Sequence, residues 1–219
     1  MLNSGLKLFI FVFFLIFSLS PSAFSLPEGE TVVSGEASFE RRDDHTLDVT
    51  ASDHSIIEFS SFDIGSVEVV RFALPSVDSF CLLRVRGADP TRIDGTLASN
   101  GNLIFINTNG LLFGPRAVVQ VGGLIASTRA LSNEDFLRGV YQFGSNQEGP
   151  YSSVVNQGLI QAREKGFALL LGSSVQNSGT IIAPLGTVSL TAGDVITVGI
   201  HPNNMISIGI DEATSHEVL

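Results

Sequence analysis

Apolar positions along this chain come in short runs, at residues 103–106, 111–113, 118–121 and 124–126 among others, and each run is closed by Asn or Gly. Runs of that length and punctuation read as strand, tight turn, strand, with no room for a helix between them. The sharpest turn is Asn107-Thr108-Asn109-Gly110. Asn tolerates left-handed backbone angles and bonds its own backbone, and Gly takes positive φ without strain, so the tetrad folds the chain back or coils it. Upstream, alternation over 55–64 puts Ile57, Phe59 and Ser61 on one side of a strand and Ile56, Glu58 and Ser60 on the other, with Phe62 and Ile64 leading to a turn at Gly65. Two further strands are predicted over 67–74 and 80–85, separated by a Pro75-Ser76 turn. Arg84 and Arg86 alternate with apolar neighbours there, as on a half-exposed strand. Residues 26–48 are polar and mixed, with Glu36, Glu40, Arg41, Arg42, Asp43 and Asp44, and read as a cap before the core.

Internal repetition decides the architecture. Asn156-Gln157-Gly158-Leu159-Ile160-Gln161-Ala162 recurs 21 residues on as Asn177-Ser178-Gly179-Thr180-Ile181-Ile182-Ala183. Weaker copies around Gly95 and Gly123 share a Gly-x-(Leu/Ile)-x-(Ala/Ser) core, so the repeat glycines are read as 95, 123, 158 and 179. Short strands at a period near 20, opened by Gly and punctuated by Asn, are what a solenoid of stacked β-coils produces. The expected fold class is therefore all-β, a parallel β-helix with an N-terminal cap and short excursions off the coil. Strand pieces at 168–171 and 188–190 complete the last two coils, and 194–198 leads into another. The one helix expected is 133–138, capped by Ser132 or Asn133 and acidic in its first turn, followed by a polar loop over 144–153 of the kind that often carries binding.

The N-terminus changes the compartment. Lys7 precedes an apolar run over 8–17, then Pro21 and the small-x-small pattern Ala23-Phe24-Ser25, which together look like a Sec signal peptide cut after Ser25. A retained membrane anchor is the alternative, and the run is short for one, since a spanning helix needs about 20 apolar residues. Residues 26–219 then form one expected domain. Formal charge is −10, with 22 acidic against 12 basic side chains, so nucleic acid and anionic membrane surfaces are poor partners. Cys81 is the single cysteine; flanked by Phe80 and Leu82, it reads as a small core residue.

Catalytic and metal chemistry is sparse. His45, His54, His201 and His216 fall in no ligand spacing, no Gly-x-Ser-x-Gly elbow occurs, and the Gly-rich turns lack a phosphate-loop Lys. No cofactor is expected. Asp43, Asp44, Asp48 and Asp53 could hold a hard cation or form a solvated face. Asn100, Asn107, Asn109, Asn156 and Asn177 carry two readings: stacked corner residues that satisfy backbone groups, or, at 107–110, a presented corner recognised by another protein.

In order, Asp63-Ile64-Gly65, Arg84-Val85-x-Gly87, Ile93-Asp94-Gly95-Thr96-Leu97, Asn100-Gly101, Ile106-Asn107-Thr108-Asn109-Gly110-Leu111-x-Phe113-Gly114, Gly123-Leu124-Ile125-Ala126-Ser127-Thr128, Asp135-Phe136-x-x-Gly139, Asn156-x-Gly158-x-Ile160 and Ala192-Gly193-Asp194 resemble the two-partner secretion domain at the N-terminus of filamentous-haemagglutinin-type exoproteins and adhesins. The resemblance spans nearly all of residues 26–219. It implies a right-handed parallel β-helix, a secretion address that performs no reaction, export by Sec, and recognition by the periplasmic domains of an outer-membrane β-barrel transporter. The coil would also nucleate folding outside the cell, leaving the protein secreted or at the surface. In the family an Asn-Pro-Asn-Gly turn is tied to secretion competence, which implies a partner-binding role for Asn107, Asn109 and Gly110; Thr108 stands where Pro is usual. Family members are usually longer, so the chain is expected to be either a fragment of a larger exoprotein or the product of an interrupted reading frame, and a host-cell or glycan receptor would be met through the missing downstream region. The competing expectation is a polysaccharide-active β-helix enzyme, which would need clustered carboxylates or a basic group on adjacent coils. A structural surface repeat protein is the third.

Overall fold

The computed structural model describes residues 26–144, 152–202 and 205–212. The expected signal peptide, the polar loop over 145–151 and His216 lie outside these residues. The chain coils into a parallel β-solenoid of about six turns, with one short helix among the described residues.

Three parallel faces run its length. The first stacks Ser55–Phe59, Phe80–Val85, Asn102–Ile106, Gly123–Ser127, Phe167–Gly172 and Thr187–Ala192. The second stacks Thr46–Ala51, Val69–Ala73, Thr96–Ser99, Val118–Val121, Leu159–Ala162 and Thr180–Ile182. The third stacks Thr91–Ile93, Leu111–Phe113, Ser153–Asn156 and Ser174–Asn177. Registers are in phase, so side chains stack in columns; one inward column runs Ile57, Leu83, Phe105, Ala126, Leu170, Leu190. Each rung buries its apolar side only against its neighbours, about 4.8 Å away.

At the N-terminal end, Thr31–Ser34 pairs antiparallel with Ser55–Phe59, and Ala37–Asp43 pairs antiparallel with Thr46–Ala51. Reversing direction ends the parallel stack and closes it. The cap stops at Asp43, not Asp48: Leu47 and Val49 are buried and their strand already pairs parallel with Val69–Ala73.

The repeat glycines need one correction. Val118 pairs with Thr96 below and Leu159 above, so Ala117 occupies the corner equivalent to Gly95, Gly158 and Gly179. Gly123 instead opens a strand of the first face, beside Asn102. Both corners start with a Gly-apolar signature, and the 28- and 35-residue steps read through Gly123 mixed two columns. Ala117 shows that this corner admits a methyl in one rung, but a Cβ on Gly179 would lie 2.2 Å from the Gly158 carbonyl oxygen, and one on Gly186 2.0 Å from that of Gly166.

The first face is apolar on both sides. Beside the inner core, a second cluster of Ile56, Leu82, Ile104, Ile125, Leu169 and Leu171 points outward and is covered by Leu131, Phe136, Tyr141, Phe143, Ile196 and Val198. Unbroken runs such as Leu103-Ile104-Phe105-Ile106 reflect this two-sided burial. Its cover comes from the excursion at 129–144, with helix Asn133–Leu137 capped by the Ser132 hydroxyl, and from the C-terminal segment. Val195–Ile200 is not another rung: it runs antiparallel to Tyr141–Gly144 and forms a hairpin with Ile206–Glu212. The excursion thus closes an outer core. Among the described residues no helix is long and apolar enough to cross a membrane.

Candidate functional site

The corner at 107–110 connects the first face to the third, and its interior is wired to the rung below. Asn107 Nδ2 donates to Thr91 Oγ1 at 3.0 Å and to the Asp89 carbonyl at 3.0 Å, while its Oδ1 accepts the Asn109 N–H at 2.9 Å. Asn109 Nδ2 donates to the Gly87 carbonyl at 2.8 Å, and Gly110, at φ +130°, returns the chain to the third face. A presented corner was expected to display Asn107. Instead Asn107 has 0% exposure, Asn109 is half-buried and Gly110 is buried; Thr108 alone of the four is exposed. The polar side chains face inward because a buried backbone turn must satisfy its own N–H and C=O groups. The corner is continued on the next rung by Ser152 Oγ, which donates to the Thr108 carbonyl at 2.6 Å.

The other asparagines follow the stacked reading. Asn156, also fully buried, accepts Gly158 N–H and donates to Asn177 Oδ1 at 2.8 Å on the following rung. Asn100 both accepts from and donates to the Leu74 backbone at 2.7 Å.

Three of the four aspartates of the acidic stretch are engaged separately. Asp48 pairs with Arg42 and Arg71, Asp43 accepts His45 N–H, and Asp53 contacts His54 and the Phe80 N–H. Burial works against ionisation of Asp53, but these donors outweigh it and hold its carboxyl below the usual range. Burial pushes Asp63 the other way, upward, helped by the negative charges of Asp89 and Glu68. No group of three or more His, Cys, Asp or Glu among the described residues is placed to hold a metal ion. Cys81 is buried against Ser55 Oγ, and burial pushes its thiol up to about 12, so it is a core residue without nucleophilic character. Arg84, expected half-exposed, has a side chain only 12% exposed and spans Glu58 Oε1, Asn133 Oδ1 and the Leu131 carbonyl, fastening the excursion to the coil.

A groove of about 560 Å³ lies on the second face between the Arg42–Asp48–Arg71 ion pairs and Ala73, Ala98 and Gln120. Its Asp48 carboxylate is committed to Arg42 and Arg71.

At the other end the last rung is open. Leu190 and Val188 occupy inward columns whose members below them are all buried, yet they are 44% and 43% exposed, because no rung stacks on them among the described residues.

A parallel solenoid capped at its N-terminal end, with its last rung exposed, defines a class of β-helical domains. The TPS secretion domain model matches residues 23–217, and the chain belongs to that family. It is 31% identical over 201 residues to the heme/hemopexin-binding protein of Haemophilus influenzae (strain ATCC 51907 / DSM 11121 / KW20 / Rd), covering 87% of this chain and 22% of that protein. A second heme/hemopexin-binding protein of Haemophilus influenzae is 30% identical over 118 residues, 53% of this chain and 13% of that one. The crystal structure of the HMW1 secretion domain from Haemophilus influenzae superimposes with a TM-score of 0.80 at 30% identity, over 87% of this chain and 50% of that chain. The chain thus spans about a fifth of the length of the curated relative it matches over most of its own. Proteins of this family are secreted to the cell surface or beyond, with a transporter as second partner.

Proposed function

We propose that residues 26–219 are the secretion address of a longer exoprotein: the chain crosses the inner membrane by Sec with a signal peptide cut after Ser25, and periplasmic domains of an outer-membrane β-barrel transporter then bind it. The domain carries no reaction. The 107–110 corner is the recognition feature, with Asn107, Asn109 and Gly110 setting its shape from inside and Thr108 giving it an exposed side chain. Once outside, the open last rung templates the chain that follows. Leu190 and Val188 present apolar area that a further rung would bury, at about 25 cal/mol per Å². Return through the pore would require undoing those rungs, so folding biases transport outward without nucleotide or ion gradient. Any adhesive contact with a host-cell or glycan receptor belongs to the region downstream.

The observation that carries this reading is the open rung on an otherwise capped solenoid within the secretion-domain family. Calorimetric titration of the transporter's periplasmic domains into purified residues 26–219, wild type and Thr108→Arg, tests the recognition step. The expected result is binding by the wild type and marked weakening by the variant, with folding unchanged. Equal binding by both would remove the corner from the recognition surface.

A further inference from the structure

The outer core is built from two pieces of chain that are far apart in sequence and complete each other. Among the described residues Tyr141–Gly144 has a single partner strand, Val195–Ile200, apart from a bridge between its last residue and Ala130. Phe136, Tyr141 and Phe143 from the first piece and Ile196 and Val198 from the second meet over Ile104, Ile125 and Leu169. Where the pieces join, Arg129 stands with its side chain 11% exposed; its Nε donates to the Gly193 carbonyl at 2.8 Å and its guanidinium pairs with Asp194, across 65 residues. At the excursion's base Arg84 provides a second, separate fastening to Glu58, Asn133 and Leu131. The inner core contains no residue of either piece.

We infer that the excursion and the C-terminal hairpin form a clasp that opens and closes as a cooperative unit of its own on the outside of the solenoid, and that Arg129 is the residue that positions its two halves. Three features carry this. The inner core is complete without the clasp, so opening it leaves the rungs stacked. Neither half is a stable sheet alone, since an isolated strand or two-stranded hairpin is marginal in water. The joining contact uses two donors of one rigid fork on two acceptors, a backbone carbonyl and a carboxylate, which a lysine ammonium on its flexible stem cannot reproduce. Folding order follows from chain order: the rungs form first, the excursion waits with its apolar face partly uncovered, and the clasp closes only after the segment beyond the last rung is present. Closure therefore reports that the whole domain has formed.

The test is native-state hydrogen exchange on residues 26–219, wild type, Arg129→Ala, Arg129→Lys and Asp194→Asn, read segment by segment. In Arg129→Ala, the amides of Tyr141–Gly144 and Val195–Ile200 should lose protection together, by about tenfold or more, while Asn102–Ile106 and Gly123–Ser127 keep theirs. Arg129→Lys should restore only part of it. Asp194→Asn should give a smaller joint loss, and it carries the reading if Arg129→Ala does not accumulate as folded protein. Loss at Val195–Ile200 with Tyr141–Gly144 unchanged would overturn the clasp as a unit. So would uniform loss over every strand, or full restoration by lysine, which would reduce Arg129 to a charge.

Discussion

Asn107 and Thr91 sit on adjacent rungs, and the amide of the first donates to the hydroxyl of the second at 3.0 Å with Asn107 wholly out of solvent. Asn107→Ala would strand the Thr91 hydroxyl, the Asp89 carbonyl and the Asn109 N–H at once. A buried group left without its partner costs about 1–3 kcal/mol, so this variant should lose about that much stability in a urea titration. Thr108→Ala, at an exposed position, should stay within about 0.5 kcal/mol of wild type. Defective export of an Asn107 variant thus reports stability as well as recognition, whereas a Thr108 variant separates the two. Wild-type stability for Asn107→Ala would contradict the wiring.

Gly179→Ala places a Cβ 2.2 Å from the Gly158 carbonyl oxygen, a backbone atom that cannot rotate away. Overpacking of this kind costs about 1–3 kcal/mol, and the thermal midpoint should fall accordingly. Gly144→Ala is the control, since its nearest atom would be Val195 Cγ2 at 3.8 Å; it should be close to neutral. Equal effects would show that the rung corners relax freely.

Leu170 and Leu190 share a column but not an environment: the first has 0% exposure, the second 44%. Truncating Leu170 to Ala should cost about 2–5 kcal/mol, and truncating Leu190 no more than about half as much. In a chain long enough to add rungs, the Leu190 cost should rise toward that of Leu170. A Leu190 cost unchanged by extension would contradict templating by the last rung.

Tyr141 links clasp stability to pH. Burial, and then the charge of Asp53, raise its phenol above the ordinary value. The folded state therefore holds this proton more tightly than the unfolded chain does. The stability it contributes is fully present below about pH 10, the unfolded phenol value, and is lost as pH rises through the higher folded value. Near-ultraviolet circular dichroism should show the clasp loosening at alkaline pH, and Tyr141→Phe should move that transition upward. An unmoved transition would assign it to another group.

Much of this architecture is legible from one residue type at a time. Gly158 and Gly179 repeat because a carbonyl of the neighbouring rung fills the space a Cβ would need, so the coil period is legible in glycine at these two rungs and lost at Ala117. Gly123 misled because the two kinds of corner share a signature while belonging to different columns. The outer core was hidden for another reason. An apolar run such as 168–171 looks alike whether one or both sides are buried, and the residues that cover it arrive from Tyr141 and Val195, far away in sequence. For the same reason 194–198, with the alternation of a further rung, could not be told from a strand that turns outward. At the 107–110 corner the turn chemistry was readable, but inward burial of Asn107 was not: it depends on acceptors contributed by the preceding rung, Asp89 and Thr91.

The most direct measurement is the fraction of this chain, with its N-terminal segment intact, released into the medium of Gram-negative cells with and without a co-expressed cognate outer-membrane transporter. The account predicts release that depends on the transporter and drops when Thr108 is replaced by Arg. Folded protein retained in the periplasm in both strains, or equal release without the transporter, would contradict a transporter-read secretion address.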